Sequence, residues 1–167
     1  MMNYFFKTKE LPSWIVPIKK LILSDKSGNW CRLPYEDHPD GCPNYGNKLA
    51  CPPLAPFISS QIDINREMYL VHSEFNLRAH TIKMRTKHPK WSDRQCKCVL
   101  YWQSTSRKQR CTRTDEAVRL LGTNWISSIP EAMGVNVYAT ARLSGLKLER
   151  IRDIKVCRHI ALLAYKR

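Results

Sequence analysis

The stretch WCRLPYEDHPDGCPNYGNKLACPPLAP (residues 30–56) decides how this chain folds, because no regular element can run through it. Its cysteines are spaced as Cys31-x10-Cys42-x8-Cys51. Prolines interrupt helices and central strands, and the wider segment 24–57 holds six of the ten prolines. We therefore predict a long proline-rich cysteine loop over 24–57. A loop of this length within one domain is typically either functional or disordered.

Three thiols on one proline-stiffened loop are suited to a soft metal centre, because thiolates bind zinc and iron–sulfur clusters well. Zinc sites usually present tight C-x2-C pairs, and the sequence has none. Cys-Pro steps, by contrast, recur near iron–sulfur ligands, and two are present here. We predict that Cys31, Cys42 and Cys51 are metal ligands, with a 4Fe-4S cluster favoured. Zinc is the alternative, in which His38 would complete a Cys3His site.

A four-iron cluster takes four ligands, and the loop offers three. Cys98 is the first candidate for the fourth cofactor ligand, and Cys96 is an alternative if the helix is offset. An iron left open for a substrate is the other possibility. Cys157 lies in an apolar pattern typical of a core cysteine, and Cys111 in a basic run is predicted to be a surface thiol.

The motif CPNYG (42–46), followed after four residues by CPP (51–53), resembles the signature of an uncharacterised family of small predicted metal-binding proteins. The match extends to LPY (33–35), YWQ (101–103) and PEAMGV (130–135). The resemblance implies a cysteine-bound centre, an iron–sulfur cluster, in a single domain. It implies no particular reaction.

The chain is strongly basic, with 28 Lys and Arg against 14 Asp and Glu and a formal net charge of +14. The excess is concentrated in segment 78–113, where the only acidic residue is Asp93. Such a charge indicates partners rather than fold, so we predict an anionic small molecule or a nucleic acid. Tyr101 is placed to stack a base, whereas Trp102 is predicted to be a core residue. The predicted polyanion-binding residues are Arg94, Lys97, Tyr101, Arg107, Lys108 and Arg110.

Helical and strand patterns mix without strict βαβ alternation, which favours an α+β fold: one domain over 1–167, a mixed sheet packed by helices. Predicted helices cover 12–23, 78–87 and 92–121, with any break near Thr112. A further helix follows the capping-box spacing of Ser128 and Glu131 and ends before Gly145. Predicted strands cover 68–77, 146–151 and 156–165, the last two pairing as a hairpin.

No apolar run is long enough for a membrane span, and the N-terminus MMNYFFKTKELPSW lacks the apolar region of a secretory signal. We therefore predict a cytoplasmic protein without a membrane partner. Seven cysteines in that compartment favour metal binding or catalysis over disulfides. The Walker A, G-x-G-x-x-G, H-E-x-x-H and G-x-S-x-G motifs are absent, which argues against the corresponding enzyme classes.

Two functions remain. The first is an iron–sulfur enzyme that performs redox, sulfur-transfer or Lewis-acid chemistry on an anionic, nucleotide- or RNA-like substrate. The alternative is a non-catalytic nucleic-acid-binding protein with a structural zinc or iron–sulfur centre.

Overall fold

An antiparallel four-stranded sheet organises the fold, which this computed structural model describes for residues 10–34, 38–149 and 153–167. The strands of these residues are β1 (Ile15–Pro17), β2 (Tyr69–His72), β3 (Phe75–Asn76), β4 (Trp125–Ser127), β5 (Val156–Cys157) and β6 (Ile160–Ala164). The main sheet runs in the order β1-β2-β6-β4, and β3 pairs separately with β5. The central strand β6 is therefore the last one in the sequence.

Each face of the sheet packs against its own apolar cluster, because successive side chains of a strand point to opposite faces. Leu70 and Leu162, which are partners across β2 and β6, face a cluster that includes Val137. Val71 faces the other way and packs in a cluster with Ala117. Since both faces are covered, β6 is an almost continuous apolar run, IALLA, rather than an alternating one. Each buried leucine contributes on the order of 2 kcal/mol.

The helices lie on both sides of this sheet. Their bounds are α1 (Ser27–Trp30), α2 (Leu77–Lys87), α3 (Asp93–Cys96), α4 (Gln103–Leu121) and α5 (Val137–Leu143), with 3-10 helices at Ile58–Ser60, Val99–Tyr101 and Pro130–Met133. The predicted α+β class is confirmed. The strand pairings recorded in the described ranges are all antiparallel, where a mixed sheet was expected.

The predicted helix over 92–121 exists in two parts, and the break lies at 97–102 rather than near Thr112. Ser92 begins α3 with the two reciprocal hydrogen bonds of a capping box to Gln95. The chain then turns so that Trp102 enters the core, where it is 6% exposed and its indole N–H donates to the carbonyl of Lys97 at 3.0 Å. The core position predicted for Trp102 is therefore confirmed. Burial of this ring interrupts the helix before α4 begins.

The predicted helix over 12–23 is wrong. Residues 15–17 form β1, and Ile15 pairs with Val71 of β2. Pro17 ends this short strand and Pro12 precedes it by three residues, and proline disfavours a helix interior. Cross-strand pairing with β2 therefore overrides the helical spacing of the apolar residues.

The segment that follows Ser128 also differs from its prediction. Glu131 makes no capping box with Ser128 and lies instead in the 3-10 helix Pro130–Met133. The α-helix of this segment, α5, begins later, where the side chain of Asn136 accepts the N–H of Ala139 at 3.0 Å. It ends before Gly145, as expected.

The predicted hairpin is wrong as well. Residues 146–149 form no strand, and residues 150–152 lie outside the described ranges. The final strand β6 pairs with β2 and β4, while β5 pairs with β3. Within the described parts of the chain, no helix has the length and apolar character needed to cross a membrane.

Candidate functional site

The predicted loop over 24–57 contains a short helix, α1 (Ser27–Trp30), and its described residues after α1 are drawn together by backbone contacts. The N–H of Cys42 donates to the carbonyl of Cys31 at 2.7 Å, and the N–H of Gly46 donates to Pro52 at 2.8 Å. Gly41 makes the first of these contacts possible. Its φ is +86°, and a Cβ atom there would lie 2.5 Å from the carbonyl oxygen of Cys31. Only glycine fits this close approach.

The thiols of Cys31, Cys42 and Cys51 lie near one another. All three are half-buried free thiols. Burial raises the pKa of the Cys31 thiol, and the charges of Cys42, Cys51 and then Glu131 raise this pKa further. These thiols and the Glu131 carboxyl group therefore lie close enough to interact, and a bound cation would favour the thiolate forms that ligate metals.

The donor types in this loop suit a thiolate-bound metal, although the side chains are not already assembled around one point. Among residues 10–34, 38–149 and 153–167, no three His, Cys, Asp or Glu side chains are arranged to hold a metal ion as they stand. Cys31, Cys42 and Cys51 would therefore have to turn towards a common centre. The described residues between them (32–34, 38–41 and 43–50) have little regular structure, and metal binding commonly orders such loops.

The other cysteines are placed elsewhere. Cys98, the candidate fourth ligand, precedes the 3-10 helix Val99–Tyr101 and is not among the groups whose charge acts on Cys31. Cys96 is fully buried, and Cys157 packs in an apolar cluster with Leu77 and Trp102. Cys111 is exposed on α4. His38 precedes Gly41 and accepts its N–H at the backbone carbonyl.

The 3-10 helix Pro130–Met133 is docked against the cysteine loop. The N–H of Ser24 donates to the carbonyl of Gly134 at 2.8 Å, and the ring of Phe57 lies so close to Gly134 that a Cβ atom there would clash. Ser24 begins the segment 24–57 and Phe57 ends it, so both ends of the cysteine loop contact Gly134, which directly follows this 3-10 helix. These contacts place Glu131 where its charge acts on the Cys31 thiol.

Glu131 also lines a cleft of about 470 Å³. The cationic side of this cleft is formed by Arg107, Arg110 and Arg158, with His159 beside them. The Glu131 carboxyl group is surrounded by protein yet reached by solvent through the cleft, and burial raises its pKa. One carboxyl group thus borders both the thiols and the arginine-lined space.

A buried hydroxyl pair orients His159. Ser73 Oγ lies 2.8 Å from Ser106 Oγ, which lies 2.8 Å from Nδ1 of His159, and Ser73 Oγ also accepts the backbone N–H of His159. Every hydroxyl hydrogen has an acceptor only if Ser73 donates to Ser106 and Ser106 donates to Nδ1. This assignment puts the ring hydrogen on Nε2. Burial and the charges of Arg107 and Arg110 lower the pKa of His159, which agrees with a neutral ring.

The structure divides the predicted polyanion-binding residues. Arg107 and Arg110 line the cleft, whereas Arg94, Lys97, Tyr101 and Lys108 do not. Tyr101 is 52% exposed and stacks on Trp91 at 5.5 Å, and Trp91 stacks on His88 at 3.9 Å. These three rings form an aromatic stack beside α3, which carries Arg94 and is followed by Lys97.

Sequence reasoning did not assign the remaining cleft residues. Glu131 was interpreted as a cap, and Arg158 and His159 were not singled out. Their only local signal is a basic pair that interrupts the apolar sequence of 156–165. Comparison of the chain with protein-family models, with curated proteins and with solved structures found no match. The functional argument therefore rests on the geometry.

Buried histidines predict acid sensitivity of the fold. Burial lowers the pKa of His72 and His159, and the nearby charges of Glu74 and Arg158 act on His72 in opposite directions. Unfolded histidines titrate near pH 6.5, so below about that pH the unfolded chain binds protons that the folded chain does not. We expect the melting temperature to fall as the pH is lowered from 7.5 to 5.5. His72→Gln should flatten that dependence, and an unchanged melting temperature in the unsubstituted protein would contradict this account.

Proposed function

We propose that the protein is an iron–sulfur protein in which Cys31, Cys42 and Cys51 hold the cluster and the neighbouring cleft holds an anionic substrate. The observation that carries the proposal is the position of the 3-10 helix Pro130–Met133, which packs against α1, the helix directly before Cys31, and whose Glu131 lines the cleft. A thiol-bound centre and an anion held by Arg107 and Arg110 would therefore border one region. This arrangement supports an enzyme more directly than a purely structural metal would.

The chain's own residues have distinct roles in this proposal. Arg107 and Arg110 would bind and orient the anion through their guanidinium groups, which match carboxylate and phosphate oxygens. The Nε2–H of His159 would donate a hydrogen bond without adding charge. The apolar part of the cleft would exclude water from the ligand. When bound, the cluster would supply redox, sulfur-transfer or Lewis-acid chemistry.

The fourth cluster ligand is proposed to be exchangeable, because the cysteine loop supplies three cysteines and Cys98 lies on a different segment, directly before the 3-10 helix Val99–Tyr101. Four-cysteine ligation is usual where a cluster only transfers electrons. A site left open therefore favours chemistry on a bound substrate. The proposal also implies a reducing compartment such as the cytoplasm, where free thiols persist.

Anaerobic purification with metal and sulfide analysis tests the proposal. We expect a brown protein that contains iron and acid-labile sulfide. A colourless protein with stoichiometric zinc would instead support a structural Cys3His or related site. A protein without any bound metal after anaerobic purification and reconstitution would contradict both forms of metal binding.

The aromatic stack of His88, Trp91 and Tyr101 favours the second candidate, a non-catalytic protein that binds single-stranded nucleic acid. Stacking on exposed rings and a basic surround are the features that such proteins use. Lys97 follows α3 directly, next to the 3-10 helix that ends in Tyr101. The net charge of +14 supports the same function.

Binding of a single-stranded oligonucleotide should therefore weaken with salt, and the salt slope should depend on Lys97. Lys97→Gln should reduce the slope by about 0.7 if it contacts one phosphate. Tyr101→Ala should cost about 1–3 kcal/mol through lost stacking. The matched control is Lys20→Gln, an exposed charge near β1. Equal effects of Lys97→Gln and Lys20→Gln in a fluorescence titration would refute a specific role for the stack.

A further inference from the structure

We propose that the cleft binds the phosphate monoester of a nucleoside, with the phosphate at Arg107, Arg110 and His159 and the base against the apolar wall. This chemistry is shared by a free nucleoside 5′-monophosphate and by the 5′-phosphorylated end of a nucleic-acid strand. The inference names a ligand for the proposed function, and it rests on that function only for the reaction of the ligand once it is bound. The binding itself requires no metal.

The arginines of the cleft have donors that the protein does not use. Within the described ranges, the Arg107 guanidinium has no recorded hydrogen bond or ion pair, and the buried Nε of Arg110 has no partner. The Nε of Arg158 is likewise buried and unpaired. Buried donors without acceptors are rare and unfavourable. An anion that reaches into the cleft would satisfy them.

The unused donors of the cleft favour a phosphate over a carboxylate. Arg158 is already neutralised by Glu74, with 2.8 Å between the guanidinium and the carboxylate. Glu149 has its own donors, since its carboxylate accepts the backbone N–H groups of Lys155 and Val156. Glu131 and Glu149 also line the cleft, so its net charge is smaller than that of its arginines. Apart from the Nε of Arg158, the donors without a recorded acceptor in the described part of the cleft lie on three residues, Arg107, Arg110 and His159. A phosphate monoester offers three terminal oxygens to them, where a carboxylate offers two.

His159 adds a fixed neutral donor to this pair. The Ser73–Ser106 hydroxyl chain holds Nδ1 as an acceptor, so Nε2–H is the ring donor that remains. Its neighbours from α4 are Arg107 and Arg110, whose charges disfavour a second proton on the ring. The ring can thus donate to a phosphate oxygen without adding a third positive charge. Ser106 is fully buried and acts as a positioning residue.

The size and the apolar wall indicate that the phosphate carries a substantial organic group. A cleft of about 470 Å³ falls in the range of small-molecule sites. A bare phosphate would leave most of it empty. The wall is formed by aliphatic side chains that include Leu148, Ile154 and Ile160. Tyr138, which is 52% exposed, provides an aromatic ring at the same site.

A second hollow continues from the cleft and could receive further nucleotides of a strand. It has a volume of about 320 Å³ and shares Tyr138 and Leu148 with the cleft. Arg142 and Lys147 line it. A strand that enters by its 5′-phosphate would find cationic groups along this path. Both a free nucleotide and a strand end therefore fit the cleft, and titration with both kinds of probe distinguishes them.

Calorimetric titration of the full chain tests the inference. The probes are the four nucleoside 5′-monophosphates, the matching nucleosides, inorganic phosphate, and eight-nucleotide single strands with and without a 5′-phosphate. We expect at least one phosphorylated nucleoside probe to bind more tightly than its unphosphorylated form and than inorganic phosphate. Preference for monophosphates would identify a free nucleotide, and preference for the 5′-phosphorylated strand would identify a strand end.

The variants locate the binding. Arg107→Ala with Arg110→Ala should weaken binding roughly a hundredfold, because two charge-assisted contacts are lost. The matched control, Arg119→Ala with Lys20→Ala, removes the same charge away from the cleft and should change affinity less than about threefold. Arg107→Ala alone, at an exposed side chain, gives a second measurement if the double variant does not fold. Equal weakening by the cleft and control variants, or no phosphate preference, would overturn the inference.

Metal analysis of the unsubstituted chain, made alongside the titration, separates this inference from the proposed function. If the unsubstituted chain holds no metal and yet binds the phosphate, the proposed function fails and the inference stands. If the chain holds the cluster but no phosphorylated probe binds, the inference fails and the metal centre stands.

Discussion

Serine at Cys31, Cys42 or Cys51 is expected to remove most of the bound metal from the purified protein. The charges of Cys42 and Cys51 both act on the Cys31 thiol, and all three cysteines lie on a single loop, so each change removes one donor from the same proposed centre. Mutation of a residue that only hydrogen-bonds to a metal ligand typically lowers metal affinity 10–100-fold. We expect loss of a ligand to cost at least about tenfold. Metal content by mass spectrometry and the visible absorption spectrum measure this effect.

The matched control is Cys111→Ser, which changes an exposed thiol on α4. It should retain the metal content of the unsubstituted protein. Cys98→Ser examines the fourth position, where an exchangeable site predicts little loss and a fourth protein ligand predicts a large one. Full metal occupancy in the Cys31, Cys42 and Cys51 variants would refute their assignment as ligands.

Gly41→Ala should unfold the cysteine loop and lower metal content, even though it changes no ligand. A Cβ atom there would lie 2.5 Å from the Cys31 carbonyl and 2.8 Å from backbone atoms of Arg32, and backbone atoms cannot move aside easily. The positive φ adds about 1 kcal/mol for any residue with a side chain. Forced overpacking adds a further ~1–3 kcal/mol. Thermal melting and metal analysis measure the two consequences.

Gly46→Ala is the control for this change. Gly46 also has a positive φ, of +72°, but a Cβ atom there would meet nothing within 4 Å. Gly46→Ala should therefore lose only the free energy that the positive φ costs a residue with a side chain, and the variant should keep its metal. For a chain of this size, about 1 kcal/mol corresponds to a melting-temperature shift of roughly 2–4 °C. Equal shifts and equal metal contents in the two variants would show that the close approach at Gly41 is unimportant.

Local patterns predicted the elements whose residues determine their own conformation. The helix over 78–87 agrees with α2, and Ser92 is the N-cap of the helix predicted to begin at residue 92. The error over 12–23 has a different origin, because β1 exists only through its pairing with β2, more than fifty residues away. The break before α4 depends on burial of Trp102, which is also a tertiary effect.

The candidate site divides in the same way. Cys31, Cys42 and Cys51 share one loop, so their spacing and the flanking prolines were visible in the sequence. The cleft was not, because it joins α4 to residues of later segments, from Ser128 to Ile160, that no local pattern links to it. Its arginines entered the predictions only as part of a basic segment. Their common ligand site depends on how β3–β5 and the central sheet bring those segments together.

X-ray absorption at the iron and zinc edges of the anaerobically purified protein tests the central claim most directly. The account predicts iron surrounded by sulfur, with a neighbouring iron in the second shell, and loss of this signal in a variant with serine at Cys31, Cys42 and Cys51. Zinc with sulfur neighbours at about 2.3 Å would support the thiol ligands but identify the metal as zinc rather than an iron–sulfur cluster. A metal bound only through nitrogen and oxygen, or no bound metal at all, would contradict the claim.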